Sequence, residues 1–471
     1  MDGITKMAMT RGTNSGRSGG HSVNRRRFVE AAGGAGLLGL TGCLGDGGSG
    51  DGGDGGSGSD GGSGDGSSDG GSTGSGGDDV IEVTTWELFS GGDGEAFASL
   101  LEKFNSQHPG IELKLSGTSW NNYYSKLFAS MTGGNPPDMG IIHTTRLLKF
   151  APALRDLSSH LSSGTTDAYV DSIWNSCQVD GKRVALPLDT HPCGLYYNKD
   201  LFEEAGLDPS SPPTNWEEFK AAADAISSET DAHGFIPQPY QGPSMLRPWF
   251  MFLKQKGGNL LNEDNTQAAF NTDAGLEIME TWQNMTGDWG WDQADTSAER
   301  GTKAFRQGDA GMIYQGTWYV NAIKDAEYEW DMAKPTNLAP GANTRATWTN
   351  SHSFAVPSNK EMSDEKLEAT VTAMEWITQN STDWGKIAGH LPAASDVLNS
   401  SAMKESQWWD KTLSKFFEMA NDGQIKYLPR TEKQSEFKRP IFKNIQQVYS
   451  QQKEPQAALD DAESQVNSTL G

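Results

Sequence analysis

The chain has 471 residues, with 62 acidic and 38 basic side chains and a net charge of −24. Such an acidic surface repels a phosphate backbone, so no nucleic-acid partner is predicted. Three cysteines are too few for a disulfide-stapled scaffold. No CxxC, HExxH or carboxylate loop with metal-ligand spacing occurs, so neither a metal nor a cofactor is predicted.

The N-terminal 42 residues have the pattern of an export signal. Asn24-Arg-Arg-Arg-Phe28 contains paired arginines, and a short, weakly apolar stretch then leads to Leu40-Thr-Gly-Cys43. These blocks resemble a twin-arginine signal that ends in a lipobox, in which a lipid is attached to the cysteine. A chance arginine run and a buried cysteine are the alternative. The apolar stretch is shorter than the roughly 20 residues that span a bilayer, so a lipid on Cys43 is the predicted anchor at the extracellular face of the cell membrane.

Residues 43–79 form a predicted disordered linker. After Leu44 the segment is Gly, Ser, Asp and one Thr, with eight Asp and no Lys or Arg, so it has almost nothing apolar to bury. A calcium-binding Gly/Asp repeat is the alternative, but such repeats need regularly placed apolar residues, which are missing here. Together with the acid excess and the low Lys content, the linker indicates a high-salt organism, where self-repulsion is screened. Signal and linker together resemble a haloarchaeal type of lipoprotein.

About 390 residues follow from Val80 onward, more than one hydrophobic core usually serves, so two lobes are predicted. Strand-like and helix-like patterns alternate over 80–142, with a Gly-rich turn at 91–94. This βαβαβ order predicts an α/β fold with a parallel sheet. Further along, Thr214-x-x-Glu217 is typical of a capping box that opens a helix, and 404–419 has the composition of a polar helix.

Two cysteines, Cys177 and Cys193, remain in the exported part of the chain. They flank Asp180-Gly181, a dipeptide typical of a hairpin turn between two β-type runs. In an oxidising compartment the pair forms either a disulfide or two free thiols, and the sequence leaves both open.

Nine sequence blocks follow one another in a distinctive order: Phe104-Asn-x-x-His-Pro-Gly-Ile111, Gly134-Asn-Pro-Pro-Asp-Met139, Val184-Ala-Leu-Pro-Leu-Asp189, Gly194–Leu207, Pro213-Thr-Asn-Trp-Glu-Glu-Phe219, Gly257-Gly-Asn-Leu260, Phe305–Met312, Gly316-Thr-Trp318 and Ser353-Phe-Ala-Val-Pro357. In this order they resemble the extracellular solute-binding proteins of ABC sugar importers, the maltose-binding-like group. The similarity covers essentially all of 80–471.

The resemblance implies a two-lobed periplasmic-binding-protein-like fold of type II, with a hinge between the lobes and the ligand clamped by closure. Crossing strands are expected near 194–198 and 351–357. The N-lobe would be 80–193 plus about 352–398, and the C-lobe 194–351 plus about 399–471.

A sugar site needs aromatic platforms for apolar C–H faces and polar side chains for hydroxyls. The resemblance implies that Trp318, after Gly316, stacks on sugar, and its place beyond a strand agrees with where α/β ligands sit. Trp120 and Trp348 fall on predicted loops and are further candidates. Trp249 is another, with core packing as its alternative.

Polar candidates follow other strands. His143 and Thr144 come directly after the strand 141–142, at a turn that reaches the sugar in the resembled group. Asp189 and His191 lie just before the expected crossing, where a carboxylate often contacts hydroxyls.

Glu87 and Phe89 leave the first strand, where a capping role is the alternative. Arg430 resembles a C-terminal segment that can touch ligand, with a surface salt bridge as its alternative. Because Arg430 is the only cation among these candidates, a neutral ligand is favoured over a phosphorylated one.

The leading hypothesis is a monomeric, membrane-tethered receptor that captures a mono- or oligosaccharide without chemistry and delivers it to an ABC permease. The same fold could instead bind glycerol phosphate, a polyol or a peptide. A surface glycosidase, which needs two carboxylates at a set separation, is a further alternative, although nothing in the sequence marks such a pair.

Overall fold

The fold was analysed on a computed structural model, which describes residues 80–237, 242–294 and 300–471. The predicted signal, Cys43 and the predicted linker 43–79 lie outside the described residues. Within the described part of the chain, no helix is both long enough and apolar enough to cross a membrane.

Fifteen strands are present in the described residues. In chain order they are β1 Ile81–Glu87, β2 Ile111–Gly117, β3 Met139–His143, β4 Gln178–Val179, β5 Lys182–Arg183, β6 Leu186–Pro187, β7 Asp189–Thr190, β8 Cys193–Asn198, β9 His233–Ile236, β10 Ala310–Gly316, β11 Trp330–Ala333, β12 Thr347–Trp348, β13 His352–Ala355, β14 Leu391–Pro392 and β15 Ile425–Lys426.

Sixteen α-helices accompany these strands in the same parts of the chain. They are α1 Gly91–Gln107, α2 Trp120–Thr132, α3 Leu147–Phe150, α4 Asp171–Asn175, α5 Lys199–Glu204, α6 Trp216–Glu229, α7 Leu246–Gln255, α8 Asp273–Thr286, α9 Arg300–Gln307, α10 Val320–Ile323, α11 Asp364–Gln379, α12 Ser395–Asn399, α13 Ser401–Lys404, α14 Ser414–Asn421, α15 Gln434–Tyr449 and α16 Pro455–Leu470.

The first sheet has the order β2-β1-β3-β13-β6. β1 is parallel to both β2 and β3, and α1 and α2 connect them, so the predicted βαβαβ unit is confirmed. β13 returns from more than 200 residues later and pairs antiparallel with β3. It thereby brings His352 beside His143 at the end of β3.

The second sheet has the order β11-β8-β10-β9. β8 pairs antiparallel with β10 and β11, while β9 is parallel to β10. All residues of β8 and β10 are buried, as expected for strands covered on both faces. Two hydrophobic clusters surround the sheets, and Trp318 packs against both.

Two local predictions need correction. The Gly-rich stretch 91–94 is not a turn but the first turn of α1. The predicted helix over 404–419 is broken into the end of α13, a π-helical turn at Trp409–Leu413 and α14.

The helix predicted from the capping box is present, one position out of register. Asn215, rather than Thr214, caps α6, and its side chain accepts a hydrogen bond from the Glu218 amide at 3.0 Å. Thr214 donates from its amide and its hydroxyl to the Glu218 carboxylate, each at 2.8 Å. The reciprocal capping contacts are therefore made by Asn215 and Glu218 with Thr214.

The hairpin between the cysteines is confirmed, since β4 and β5 pair around Asp180 and Gly181, which both have positive φ. The disulfide alternative is wrong, because Cys177 and Cys193 are both buried thiols with no disulfide between them. Each thiol packs in a different hydrophobic cluster, which keeps the two apart. Burial raises the pKa of Cys177 to about 11.

Candidate functional site

A cavity of about 730 Å³ opens where the ends of both sheets meet. Its walls come from the residues that follow β1, β3 and β10, from the segment between β7 and β8, and from β12 to the start of β13. Ligands of α/β proteins bind at such strand ends, where several connections converge. The N-terminus of α1 and part of α9 and α10 complete the wall.

Six of the predicted site residues line this cavity: Phe89, Trp120, His143, His191, Trp318 and Trp348. Trp120 is the first residue of α2 and Trp348 the last of β12, so both lie at element ends rather than on loops. Their contact with a ligand stays a prediction.

The other six do not line the cavity. Trp249 is fully buried beside Phe270, so core packing accounts for it. Arg430 donates to the Ser176 carbonyl at 2.9 Å instead of facing the cavity or forming a surface salt bridge.

Glu87 and Thr144 have local structural roles. The Glu87 carboxylate accepts from the Phe89 amide, and burial raises its pKa. Thr144 donates to the Asn350 side-chain oxygen at 3.2 Å. That contact orients Asn350, which does line the cavity.

Gly316 supports Trp318 from behind. Trp318 lies in the turn Thr317–Tyr319 that follows β10, and its ring folds back over the Gly316 backbone. A Cβ at Gly316 would overlap the Trp318 ring. The block Gly316-Thr-Trp318 is therefore a geometric unit in which the glycine makes room for the indole.

An arginine bridges two of the cavity tryptophans. The Arg247 guanidinium carbon lies 4.5 Å from the Trp348 ring centroid and 5.1 Å from that of Trp318, within range of cation–π attraction. The buried indole nitrogen of Trp348 has no hydrogen-bond partner among the described residues.

Asp189 lies behind the cavity, fully buried, at the centre of a histidine cluster. Its carboxylate accepts from His191 Nδ1 at 3.2 Å and from His352 Nδ1 at 2.7 Å. It also accepts from Trp384 Nε1 at 2.8 Å and from the His352 amide at 2.9 Å. Asp189 therefore orients the histidines and does not itself line the cavity.

Burial sets the protonation of this cluster. It lowers the pKa of His191 to about 3, against the opposing charge of Asp189. It also holds the pKa of His143 well below its usual value, with help from His352 and His191. Burial alone would raise the pKa of Asp189, but His352 and the hydrogen bonds from both histidines lower it well below the usual range. Near neutral pH the cluster thus holds a carboxylate with neutral His143 and His191.

His390 connects the cavity wall to α1. Its Nδ1 lies 2.7 Å from Thr317 Oγ1, and its Nε2 lies 3.1 Å from Asp93 Oδ2. Burial opposes the charged form of His390, yet the carboxylates of Asp93 and Asp189 raise its pKa overall. Nearby, Asn321 Nδ2 in α10 donates to the carbonyls of Ile387 and Ala388 at 3.0 and 3.2 Å.

The cavity has more cations than the sequence predicted. Arg247 is buried within it, and three exposed cations stand at its rim, from α9 and just beyond α10: Lys303, Arg306 and Lys324. The expectation of a single cation, Arg430, is wrong in two respects. Arg430 does not line the cavity, and four other cations do. Asp93 and Glu95 are the acidic residues of the lining.

Sequence reasoning missed His352, His390, Asn350 and Arg247. His352 and Asn350 immediately precede the block Ser353–Pro357, so the expected crossing there was a usable signal. No sequence signal marked His390 and Arg247, because only the folded chain brings them to the cavity.

A comparison of the sequence with known families now bears on this geometry. The profile of the bacterial extracellular solute-binding proteins matches residues 90–380. The chain belongs to this family. A binding protein of Brucella abortus is 25% identical over 400 residues, which cover 83% of this chain and 93% of that protein. The sn-glycerol-3-phosphate-binding periplasmic protein of Escherichia coli is 22% identical, with coverage of 83% and 93%.

Among solved structures, the cyclic α-maltosyl-1,6-maltose binding protein of Arthrobacter globiformis superimposes with a TM-score of 0.72 and 28% identity. The match covers 83% of this chain and 99% of that one. The predicted two-lobed α/β fold of type II is therefore confirmed. Members of this solute-binding family act as the extracellular capture component of ABC importers, a binding role rather than an enzymatic one.

Proposed function

We propose that this solute-binding protein captures a mono- or oligosaccharide in the cavity and delivers it to the permease subunits of an ABC importer. The observation that carries the proposal is the pairing of three cavity tryptophans, Trp120, Trp318 and Trp348, with polar groups that face the same space. Indole rings suit the apolar faces of a sugar.

Polar side chains between these rings would recognise the hydroxyl rim. Asn350 accepts from Thr144 through its side-chain oxygen. Its side-chain amide nitrogen makes no hydrogen bond to the described residues, which leaves it as a donor toward the cavity. A cavity of about 730 Å³ falls within the range of roughly 300–1,000 Å³ typical of small-molecule sites. It is large enough for more than one sugar ring.

Several finer points belong to the same proposal. The protein would bind its solute without chemical turnover, as a monomer. It would be exported by the twin-arginine route and held at the outer face of the membrane through a lipid on Cys43. Its lobes would follow the ranges predicted from the sequence, with 80–193 and about 352–398 in one and 194–351 and about 399–471 in the other.

A second candidate is an anionic polyol of the kind named for the Escherichia coli relative. The observation in its favour is the set of four cations at the cavity, one buried and three at the rim. A phosphate group prefers several cationic donors. Arg247 already faces the two tryptophans Trp318 and Trp348, so the exposed rim cations would have to supply most of this recognition.

Thermal unfolding of the full-length protein in high salt tests both candidates, across neutral sugars, polyols and phosphorylated polyols. A ligand at about 100 times its Kd stabilises the native state by about 2.7 kcal/mol. A rise in Tm with one sugar class, without turnover of that sugar, supports the carbohydrate receptor. A rise only with phosphorylated compounds would replace it with the second candidate.

The variants Trp120→Ala and Trp409→Ala provide a matched pair. Both tryptophans are half-buried, but only Trp120 lines the cavity. Loss of one aromatic platform is expected to weaken sugar binding at least tenfold in Trp120→Ala, while Trp409→Ala binds as the wild type. Equal effects in both would contradict the assignment of the cavity.

A further inference from the structure

Three histidines from different parts of the chain converge on one face of the cavity. His143 ends β3, His191 lies between β7 and β8, and His352 begins β13. One ring nitrogen from each lies within 4.8 Å of the other two. The ring centroids are 4.5 Å apart for His143–His352 and His191–His352, and 5.5 Å apart for His143–His191.

Each ring is held through its Nδ1 atom. His191 and His352 donate from Nδ1 to the two oxygens of Asp189, at 3.2 and 2.7 Å. His143 Nδ1 lies 2.6 Å from the hydroxyl of Tyr124, which also accepts from the His143 amide at 3.1 Å. In all three rings Nε2 makes no hydrogen bond to the described residues, and all three side chains line the cavity.

We propose that His143, His191 and His352 bind a divalent transition-metal ion of the Zn²⁺ class through their Nε2 atoms, with a fourth position open to the cavity. Three imidazoles suit such ions, and catalytic or ligand-binding zinc sites use three protein ligands plus an exchangeable position. Metal-bound histidines usually donate their other N–H to a carboxylate or another oxygen, as Asp189 and Tyr124 allow here. The inference does not rest on the identity of the captured solute.

The three rings are already gathered in one place, because one ring nitrogen of each lies within 4.8 Å of the other two. Three nitrogens bound at about 2.0–2.1 Å in a tetrahedral site lie about 3.3 Å apart, so the rings have to draw closer around an ion. Rotations of the three imidazoles about their Nδ1 hydrogen bonds can close that gap. Because all three rings border the cavity, an ion can reach them from solvent.

A rival set exists in the same cluster, formed by Asp189, His191 and His390. His390 has both nitrogens engaged, by Thr317 and Asp93. Asp189 already accepts four hydrogen bonds. A metal there would have to break contacts that the first set leaves intact, so the first set is the better site. The two sets share His191 but differ in their other members, His143 and His352 against Asp189 and His390, which makes them separable by substitution.

The test is titration calorimetry of the full-length protein, stripped of metals with EDTA and dialysed, with ZnCl₂ as the probe. One Zn²⁺ per chain is expected. Titration with CoCl₂ should give the intense visible absorption of four-coordinate Co²⁺. The His143→Gln and His352→Gln variants are each expected to lose more than about 100-fold in affinity, since losing even an outer partner of a ligand costs about 10–100-fold. His390→Gln, the matched control from the same cluster, is expected to bind as the wild type.

Asp189→Asn keeps the three ligands but weakens their orientation, so a loss of about 10–100-fold is expected. Circular dichroism and thermal unfolding establish that each variant is folded, and His352→Gln repeats the test if His143→Gln is not. The proposal is overturned if the wild type binds no Zn²⁺. It is also overturned if His390→Gln loses binding while His143→Gln keeps it, or if all variants bind alike, as a surface site would.

Discussion

Gly316 and Trp318 show how one missing methyl group shapes the cavity wall. The Trp318 indole lies against the backbone of Gly316 and at the same time packs on both hydrophobic clusters. The indole therefore has one face supported by the protein and part of its surface open to the cavity. A side chain at Gly316 cannot share that space with the ring.

Gly316→Ala is expected to displace the Trp318 ring and weaken solute binding about tenfold or more. Forcing a methyl group into a filled space costs typically about 1–3 kcal/mol, and each 1.4 kcal/mol is tenfold in affinity. Titration with the sugar that raises Tm measures the loss. Gly110→Ala is the control, because a Cβ there meets nothing within 4 Å. Unchanged affinity in Gly316→Ala would show that the ring position is not needed.

At the scale of single residues, the sequence was better at indicating which side chains lie near the cavity than at indicating which residues they contact. Trp318, His143 and His191 were found from their places after strands, and all three line the cavity. Trp249 was indistinguishable from them by pattern, yet α7 is buried almost all round and takes it into the core. Asp189 was placed correctly along the chain, but its partners His352 and Trp384 lie more than 160 residues away. Contacts between residues so far apart along the chain cannot be inferred from a local sequence pattern.

Among the elements, α10 makes a contact that fastens the wall of the cavity. Asn321 reaches from this short helix to the carbonyls of the segment Trp384–Ala388, and Gly389, with φ of +79°, ends that segment against Val320. Asn321 thus joins α10, which follows β10 of the second sheet, to the segment Trp384–Ala388, which packs on α1. In a hinged protein, such contacts favour the closed arrangement.

Asn321→Ala is expected to shift the solute-free protein toward a more open arrangement. Two hydrogen bonds worth about 1 kcal/mol each are lost, and one or two kcal/mol change a two-state ratio about 5- to 30-fold. Small-angle scattering without solute should show a larger radius of gyration. Asn380→Ala is the matched control. The side-chain amide of Asn380, which caps the C-terminus of α11, also donates to a carbonyl, at 2.8 Å, but that carbonyl belongs to Trp376 of the same helix. Equal radii in both variants would contradict the fastening role.

Helices and strands were predicted well from the sequence where one hydrophobic periodicity continued over the whole element. The βαβαβ start and α6 are present, because long apolar stripes specify both. The 404–419 segment is interrupted near Trp408, whose ring packs on Trp330 of β11. That tertiary contact overrides helix propensity, and it could not be predicted from composition.

For the whole molecule, charge is the dominant property, with 62 acidic against 38 basic residues. Many carboxylates of the described residues lie on helix surfaces without a cation partner, so mutual repulsion acts against the compact state. Screening shortens that repulsion from about 10 Å at 0.1 M salt to about 3 Å at 1 M. Stability should therefore depend on ionic strength as well as on the core.

The Tm of the full-length protein is expected to rise by at least a few degrees between about 0.1 M and 1 M NaCl. Circular dichroism melts measure the shift. Melts in an uncharged osmolyte at matched osmolality separate screening from solute exclusion. A flat or falling Tm in NaCl would contradict the interpretation of the acidic surface as an adaptation to salt.

The tryptophans that border the cavity also give the molecule a built-in optical signal. Trp120, Trp318 and Trp348 line the cavity, and Trp384 stacks on His390 just behind it. Four of the fifteen indoles therefore lie in or next to the cavity wall. Indole emission changes in colour and intensity when water is displaced from the ring. Occupancy can thus be followed by fluorescence without any attached dye, in real time and at low protein concentration.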